Sequence, residues 1–152
     1  MAPPNAVIRE MLEAQMLHQI HPEYELPKGG PGTLIDNVSD DVFFQIVTEH
    51  PELARSVNGR QAVLDVTKNV MHQIVDHNED IKTEIVHLIG GGDSPWLAAV
   101  LRQVTKSKVG DVFTHEWVVI FEFNNQDKIK TLKIYPDAHT VQEHAGKHDL
   151  DL

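Results

Sequence analysis

The chain has 152 residues, 41% hydrophobic and 24% charged, with 23 acidic against 13 basic side chains and a formal net charge of −10. This length suits one domain that buries about two thirds of its unfolded surface, and the composition is ordinary for a soluble globular protein. The acidity argues against nucleic acid and anionic membrane surfaces, both of which are gripped by Lys and Arg.

Cysteine is absent, which excludes disulfides, thiolate catalysis and Cys-based metal sites and fits a reducing, cytoplasmic compartment. No run of about 18 apolar residues marks a membrane span, and the start MAPPNAVIRE lacks a secretory pattern. Residues 1–152 are therefore read as one domain, with 1–5 and 147–152 as mobile ends.

From Ala6 to about Ile20, the residues Ile8, Met11, Leu12, Met16 and Ile20 fall near helical spacing. His18 and His21 lie three apart on this helix, but Pro22 ends it there, so metal ligation is not expected. His21–Gly32 is a Pro- and Gly-rich loop, either a lid carrying Tyr24 or a solvated connector. Val42–Val47 reads as a short strand, and Gln61 to about His77 as a helix burying Val63, Leu64, Val66, Val70, Met71 and Ile74. His72 and His77, five apart, share no helix face.

Lys82–Ile89 alternates as a strand, with Thr83, Ile85, His87 and Ile89 on one face and Glu84, Val86 and Leu88 on the other. Gly90-Gly91-Gly92-Asp93 lacks the Gly-Lys-Ser/Thr of a phosphate loop and reads as a hairpin connection. Pro95 to about Lys106 is apolar enough for helix or strand; as a strand it sets Trp96, Ala98, Val100, Arg102 and Val104 on one face.

The clearest signal runs from Val112 to Gly146. Phe113, His115, Trp117, Val119, Phe121 and Phe123 alternate with Thr114, Glu116, Val118, Ile120 and Glu122, as in a strand with one buried face. Asn124-Asn125-Gln126-Asp127 is a polar turn, and Lys128–Tyr135 alternates again, completing an antiparallel hairpin. Pro136 stops it, and Asp137 stands as an N-cap ahead of a helix over His139–Ala145. Strands grouped apart from helices indicate an α+β fold.

An aromatic strand ending FEFN, a polar turn, KI, a strand ending Y-x-D and a short last helix resemble the SnoaL-like branch of the nuclear transport factor-like superfamily. That superfamily includes scytalone dehydratase, ketosteroid isomerase and limonene epoxide hydrolase. The resemblance implies a cone: a curved antiparallel sheet wrapped around N-terminal helices, with an internal pocket, usually dimeric. It covers about 35 residues, Val112–Gly146, together with the glycine-led start of the second helix.

On that fold His115 is the main candidate for catalysis. An ionisable ring on an aromatic face either is hydrogen-bonded within the core or opens on a cavity, where it can shuttle protons. His87 on a neighbouring strand is its candidate acid/base partner, although both faces around it are apolar. Arg102 either holds a developing oxyanion or pairs with a carboxylate at a dimer interface. Trp96 and Tyr24 either line the pocket or serve core and lid packing. Glu116 and Glu122 share the face opposite His115 with Val118 and Ile120, and that face is a candidate subunit interface.

The counterpart of the limonene epoxide hydrolase aspartate falls on Ile134, so that mechanism is not expected. No counterpart of the ketosteroid isomerase carboxylate pair is found. The paired histidines and tyrosines of scytalone dehydratase are echoed only by His87, His115 and Tyr24.

The resulting expectation is a cofactor-independent, metal-free isomerase, cyclase or dehydratase of secondary metabolism, acting on an apolar polyketide- or terpenoid-like molecule. Its rate should change between about pH 5 and 8. The other reading is a non-catalytic ligand-binding or dimerising cone.

Overall fold

The structure, a computed structural model, describes residues 2–20, 23–51, 53–74, 82–106, 112–137 and 140. In chain order the elements are α1 (Asn5–Ile20), a 3-10 turn (Ile35–Asn37), β1 (Val38–Ile46), β2 (Arg55–Asn58), α2 (Arg60–Ile74), β3 (Lys82–Gly90), β4 (Trp96–Lys106), β5 (Val112–Phe123) and β6 (Ile129–Tyr135). The six strands form one sheet in the order β2-β1-β6-β5-β4-β3. β3 to β6 make the meander that the alternating runs predict.

Four of the five pairings are antiparallel; the exception is β1, which lies parallel to β6. The sheet is therefore mixed, and it is open and curved. Strand β2 has no counterpart in the sequence reading, because Arg-Ser-Val-Asn offers a single apolar residue and so no alternation. β1 begins earlier than its apolar run, through the polar Ser39, Asp40 and Asp41.

The core is the inner face of this sheet closed by the helices. Ile8, Met11, Leu12 and Met16 of α1 and Val63 of α2 pack with Phe44, Leu97, Ala99, Leu101, Val119, Phe121, Phe123 and Leu132. Each large apolar side chain so buried stabilises the fold by roughly 1.5–3 kcal/mol relative to exposure. Leu64, expected on the buried side of α2, is exposed instead. The side chains of Val70, Met71 and Ile74 lie outside the described residues, as do His21, His77 and the expected helix over 139–145 apart from Thr140.

The lead-in to α1 is tied to a hairpin of the sheet. Ala2 is buried, and its amide donates to the Gly92 carbonyl at 3.2 Å. That carbonyl belongs to the β3–β4 hairpin, where Gly90, Gly91 and Gly92 all adopt positive φ (92°, 81° and 65°). Three successive left-handed positions explain the glycine run, since a side chain is strained at each. At the other hairpin, Asn124 Oδ1 accepts from the amides of Gln126 and Lys128 at 2.8 and 3.0 Å, an Asx turn that fixes the β5–β6 connection. The loop before β1 is closed by Thr33 and Asp36, each side-chain oxygen accepting from the other's amide.

Candidate active site on the inner sheet face

Antiparallel residues that lie directly opposite share a face. On β5, Val119, Phe121 and Phe123 are buried and Trp117 packs against the core, which fixes the odd positions of β5 as the inner face. Their partners on β4 are Leu97 opposite Phe121, Ala99 opposite Val119, Leu101 opposite Trp117 and Gln103 opposite His115. His115 thus faces inward, and the β4 residue facing it is Gln103, which is only 5% exposed. Cross-strand neighbours have Cβ atoms about 5 Å apart, so the two side chains stand next to each other on the inner face.

The His115 ring stacks on Trp117, with centroids 4.9 Å apart and planes 17° apart. Its Nε2 is buried and has no hydrogen-bond partner among the described residues. A buried, unanswered ring nitrogen is costly in a core, and such atoms need a functional or ligand-based account. The histidine pKa is lowered from 6.5 to about 4, because burial penalises the imidazolium; the negative charge of Asp137 pulls the other way. At neutral pH the ring is therefore uncharged, with one nitrogen donating and the other accepting. This displaces the expected pH response, which belongs near 4 rather than between 5 and 8.

Asp137 follows the end of β6. Its carboxylate accepts from the Thr140 amide at 3.2 Å and from the Thr140 hydroxyl at 2.6 Å, the contact pattern of a helix N-cap. The same charge acts on His115, so Asp137 does local structural and electrostatic work at once. Ile134 lies opposite Val119 on the inner face. An aliphatic side chain stands there, and no carboxylate can act from that position.

His87 is not beside His115. The β3–β4 register runs from Ile85 opposite Leu101 to His87 opposite Val100, passing over Val86 as a bulge. One extra residue reverses the faces beyond it. Ile85 and Leu88 therefore pack inward, while His87 is exposed on the outer face. β4 also lies between β3 and β5, so the two histidines are separated by about 10 Å of sheet as well as by its thickness.

Arg102 and Trp96 also belong to the outer face. They do share a face of β4, as expected, but Arg102 is opposite Glu116 and Trp96 opposite Glu122. The Arg102 guanidinium meets Glu116 Oε2 at 3.1 Å and Glu84 Oε2 at 3.5 Å, and both carboxylates sit on the same rung of the sheet. It is a carboxylate partner, not an oxyanion holder inside the cone. Trp96 is 43% exposed and Tyr24, in the loop after α1, is 47% exposed. Neither is placed against His115.

Gln103 is the residue that the sequence reading missed. Its signal was present: an amide at the end of the alternating set Leu97, Ala99, Leu101 and Gln103 is as anomalous as a histidine on an aromatic strand. Among the described residues, no cluster of three or more His, Asp or Glu side chains is arranged to hold a metal ion. None of the described helices is long and apolar enough to cross a membrane.

A mixed, open and curved sheet with two helices matches the NTF2-like α+β cone fold, and solved structures agree. An NTF2-like protein of unknown function from Burkholderia pseudomallei superposes with a TM-score of 0.66 at 15% identity, covering 91% of this chain and 94% of its own. A Bacillus subtilis protein provisionally assigned as an isomerase gives 0.65 at 16% identity, covering 93% of this chain and 91% of its own. SalBIII, an epoxide hydrolase/cyclase-like enzyme with a role in pyran ring formation in the polyether salinomycin, gives 0.60 at 12% identity, covering 89% and 91%. No protein-family profile and no curated protein sequence matches the chain. The chain has the NTF2-like fold, and these likenesses speak to fold alone.

Proposed function

We propose that the chain is a SnoaL-like isomerase or cyclase that works without a cofactor on a small, uncharged, largely apolar molecule, by proton abstraction next to a carbonyl. The observation that carries this reading is the buried, unpartnered Nε2 of His115 on the concave face, directly opposite the buried Gln103. A neutral imidazole takes the α-proton. The electrons move onto the carbonyl oxygen, and the Gln103 amide donates to the enolate so formed. The proton then returns to a different carbon.

A weak base suffices when the oxyanion is well held; ketosteroid isomerase, itself a cone enzyme, uses a base of pKa about 4.6. The transient imidazolium is stabilised by the charge of Asp137, which already favours that form. Trp117 and Leu101 supply an apolar wall, which suits polyketide- or terpenoid-like carbon skeletons. Dehydration is open to the same base when a leaving hydroxyl lies beta to the carbonyl. The lack of cysteine is in keeping with a cytoplasmic enzyme.

The test needs no knowledge of the natural substrate. Apolar cyclic ketones are incubated with the protein in heavy water, and deuterium uptake alpha to the carbonyl is followed by NMR. Wild type should exchange faster than buffer, His115→Ala should fall to the buffer rate, and Gln103→Leu should lie between. Exchange that survives in His115→Ala sinks the assignment.

A dimerising role has its own support, compatible with catalysis. Ile89 (59% exposed) and Trp96 stand on the outer face, where register also places Tyr135 beside Val118. Such a patch on a sheet face suits a second copy of the chain. Light scattering checks it: Trp96→Glu should convert a dimer to a monomer, and a monomeric wild type ends this reading.

A further inference from the structure

Where β1 ends and β2 begins, the edge of the sheet carries a groove of about 250 Å3. Ile46, Val47 and Ala54 give it aliphatic walls, and Thr48, Arg55 and Ser56 give it polar ones. Its lining comes from β1, β2 and the residues beside them and includes none from β4 or β5, and β6 lies between β1 and β5, so the groove is distinct from the rung that bears His115. It does not depend on the function proposed for that histidine.

Arg55 is the notable member. Its Nη1 donates to the Ala54 carbonyl at 2.8 Å, which holds the guanidinium while leaving four of its five N–H groups for other partners. Among the described residues, Arg60, Arg102 and Lys130 each meet a carboxylate within 3.5 Å, and Arg55 meets none. In a chain with 23 acidic and 13 basic residues, a braced arginine with no carboxylate, set in a concavity, has an open anion position. Thr48 adds a donor, since its hydroxyl oxygen accepts from the His50 amide and its own proton remains available.

We infer that the groove between the ends of β1 and β2 binds a small organic acid, with its carboxylate on the Arg55 guanidinium and its hydrocarbon part against Ile46, Val47 and Ala54. A planar carboxylate matches the planar guanidinium fork. Arg55 is the one cation among the groove's lining residues, which balances a single negative charge and not the double charge of a phosphate monoester. The volume is below the ~300 Å3 at which drug-sized sites begin, so the acid is short.

The probe is hexanoate, titrated into the full chain and followed by amide NMR shifts, with hexanol and hexyl phosphate in parallel. Hexanoate should give saturable shifts confined to residues 45–48 and 54–56, and hexanol should give none at equal concentration. Arg55→Gln should weaken hexanoate about tenfold or more, the scale of a charge-assisted pair, with the remaining spectrum unchanged. Arg55→Lys, which keeps the charge but loses the fork, should fall between. His115→Ala should bind hexanoate as wild type does. No saturable shift, equal binding of hexanol, or undiminished binding by Arg55→Gln overturns the site. Tighter binding of hexyl phosphate overturns the carboxylate as its ligand.

Discussion

Replacing His115 by Phe tests the state of the ring that the chemistry requires. Folding lowers the histidine pKa from 6.5 to about 4. Above pH 6.5 the ring is neutral in both folded and unfolded chains and contributes no pH dependence. Between 6.5 and 4 the unfolded ring is protonated and the folded ring is not, so the unfolded chain holds one more proton. Stability therefore falls as the pH falls through this window, at about 1.4 kcal/mol per pH unit. The loss is roughly 2–3 kcal/mol at pH 4.5 and levels off at roughly 3–4 kcal/mol well below pH 4, where both states are protonated.

Phe keeps an aromatic ring against Trp117 and removes the titration together with the unpartnered nitrogen. At pH 7 the variant should be at least as stable as wild type. Urea unfolding at pH 7 and 4.5, on both proteins, isolates the effect, because the 23 acidic side chains titrate in each and cancel in the difference. The wild type should lose roughly 2–3 kcal/mol more than His115→Phe between the two pH values. An equal loss in both proteins refutes the account of a desolvated ring, and with it the neutral base.

Other outcomes follow from the same geometry. The exchange rate of an α-proton should be flat from about pH 5 to 8 and fall as the pH drops through about 4; a midpoint near 6.5 would show a solvated histidine. His87→Ala should leave that rate within about twofold of wild type, as expected of an exposed outer-face residue, and a large fall would restore it to the mechanism. Arg102→Leu should cost less than about 1 kcal/mol in urea unfolding, since its ion pairs are open to water. Gly91→Ala should cost roughly 1–2 kcal/mol or more for its left-handed backbone: φ is +81° and the added Cβ would meet Asn5 Oδ1 at 2.7 Å. A neutral result would mean that the hairpin relaxes away from α1.

The β5–β6 hairpin was legible in the sequence to within a residue at each end, because its inner face is aromatic and its turn is polar. His115 stood out for the same reason: one titratable ring in an otherwise apolar row. Features that depend on another strand were not legible. In β4 both alternating sets are largely apolar, so only the pairing with β5 shows that Leu97, Ala99, Leu101 and Gln103 face the core. In β3 a single bulge at Val86 overrides the alternation that joined His87 to Ile85. The parallel join of β1 to β6 brings together segments about 90 residues apart, which no local pattern encodes.

These two corrections act together on the chemistry. With His87, Arg102 and Trp96 turned outward, His115 is the one member of the expected acid/base and oxyanion set that remains on the concave face. A paired-histidine mechanism would need a second ring that can give up a proton as the first takes one. Here the buried ring faces a neutral amide across the strands and stacks on an indole, and the charge of Asp137 favours its imidazolium. In the proposed reaction one group would both remove the proton and return it, with Gln103 donating to the enolate in the interval. Isomerisation and aldol-type ring closure have that proton economy, and they need no cofactor to balance.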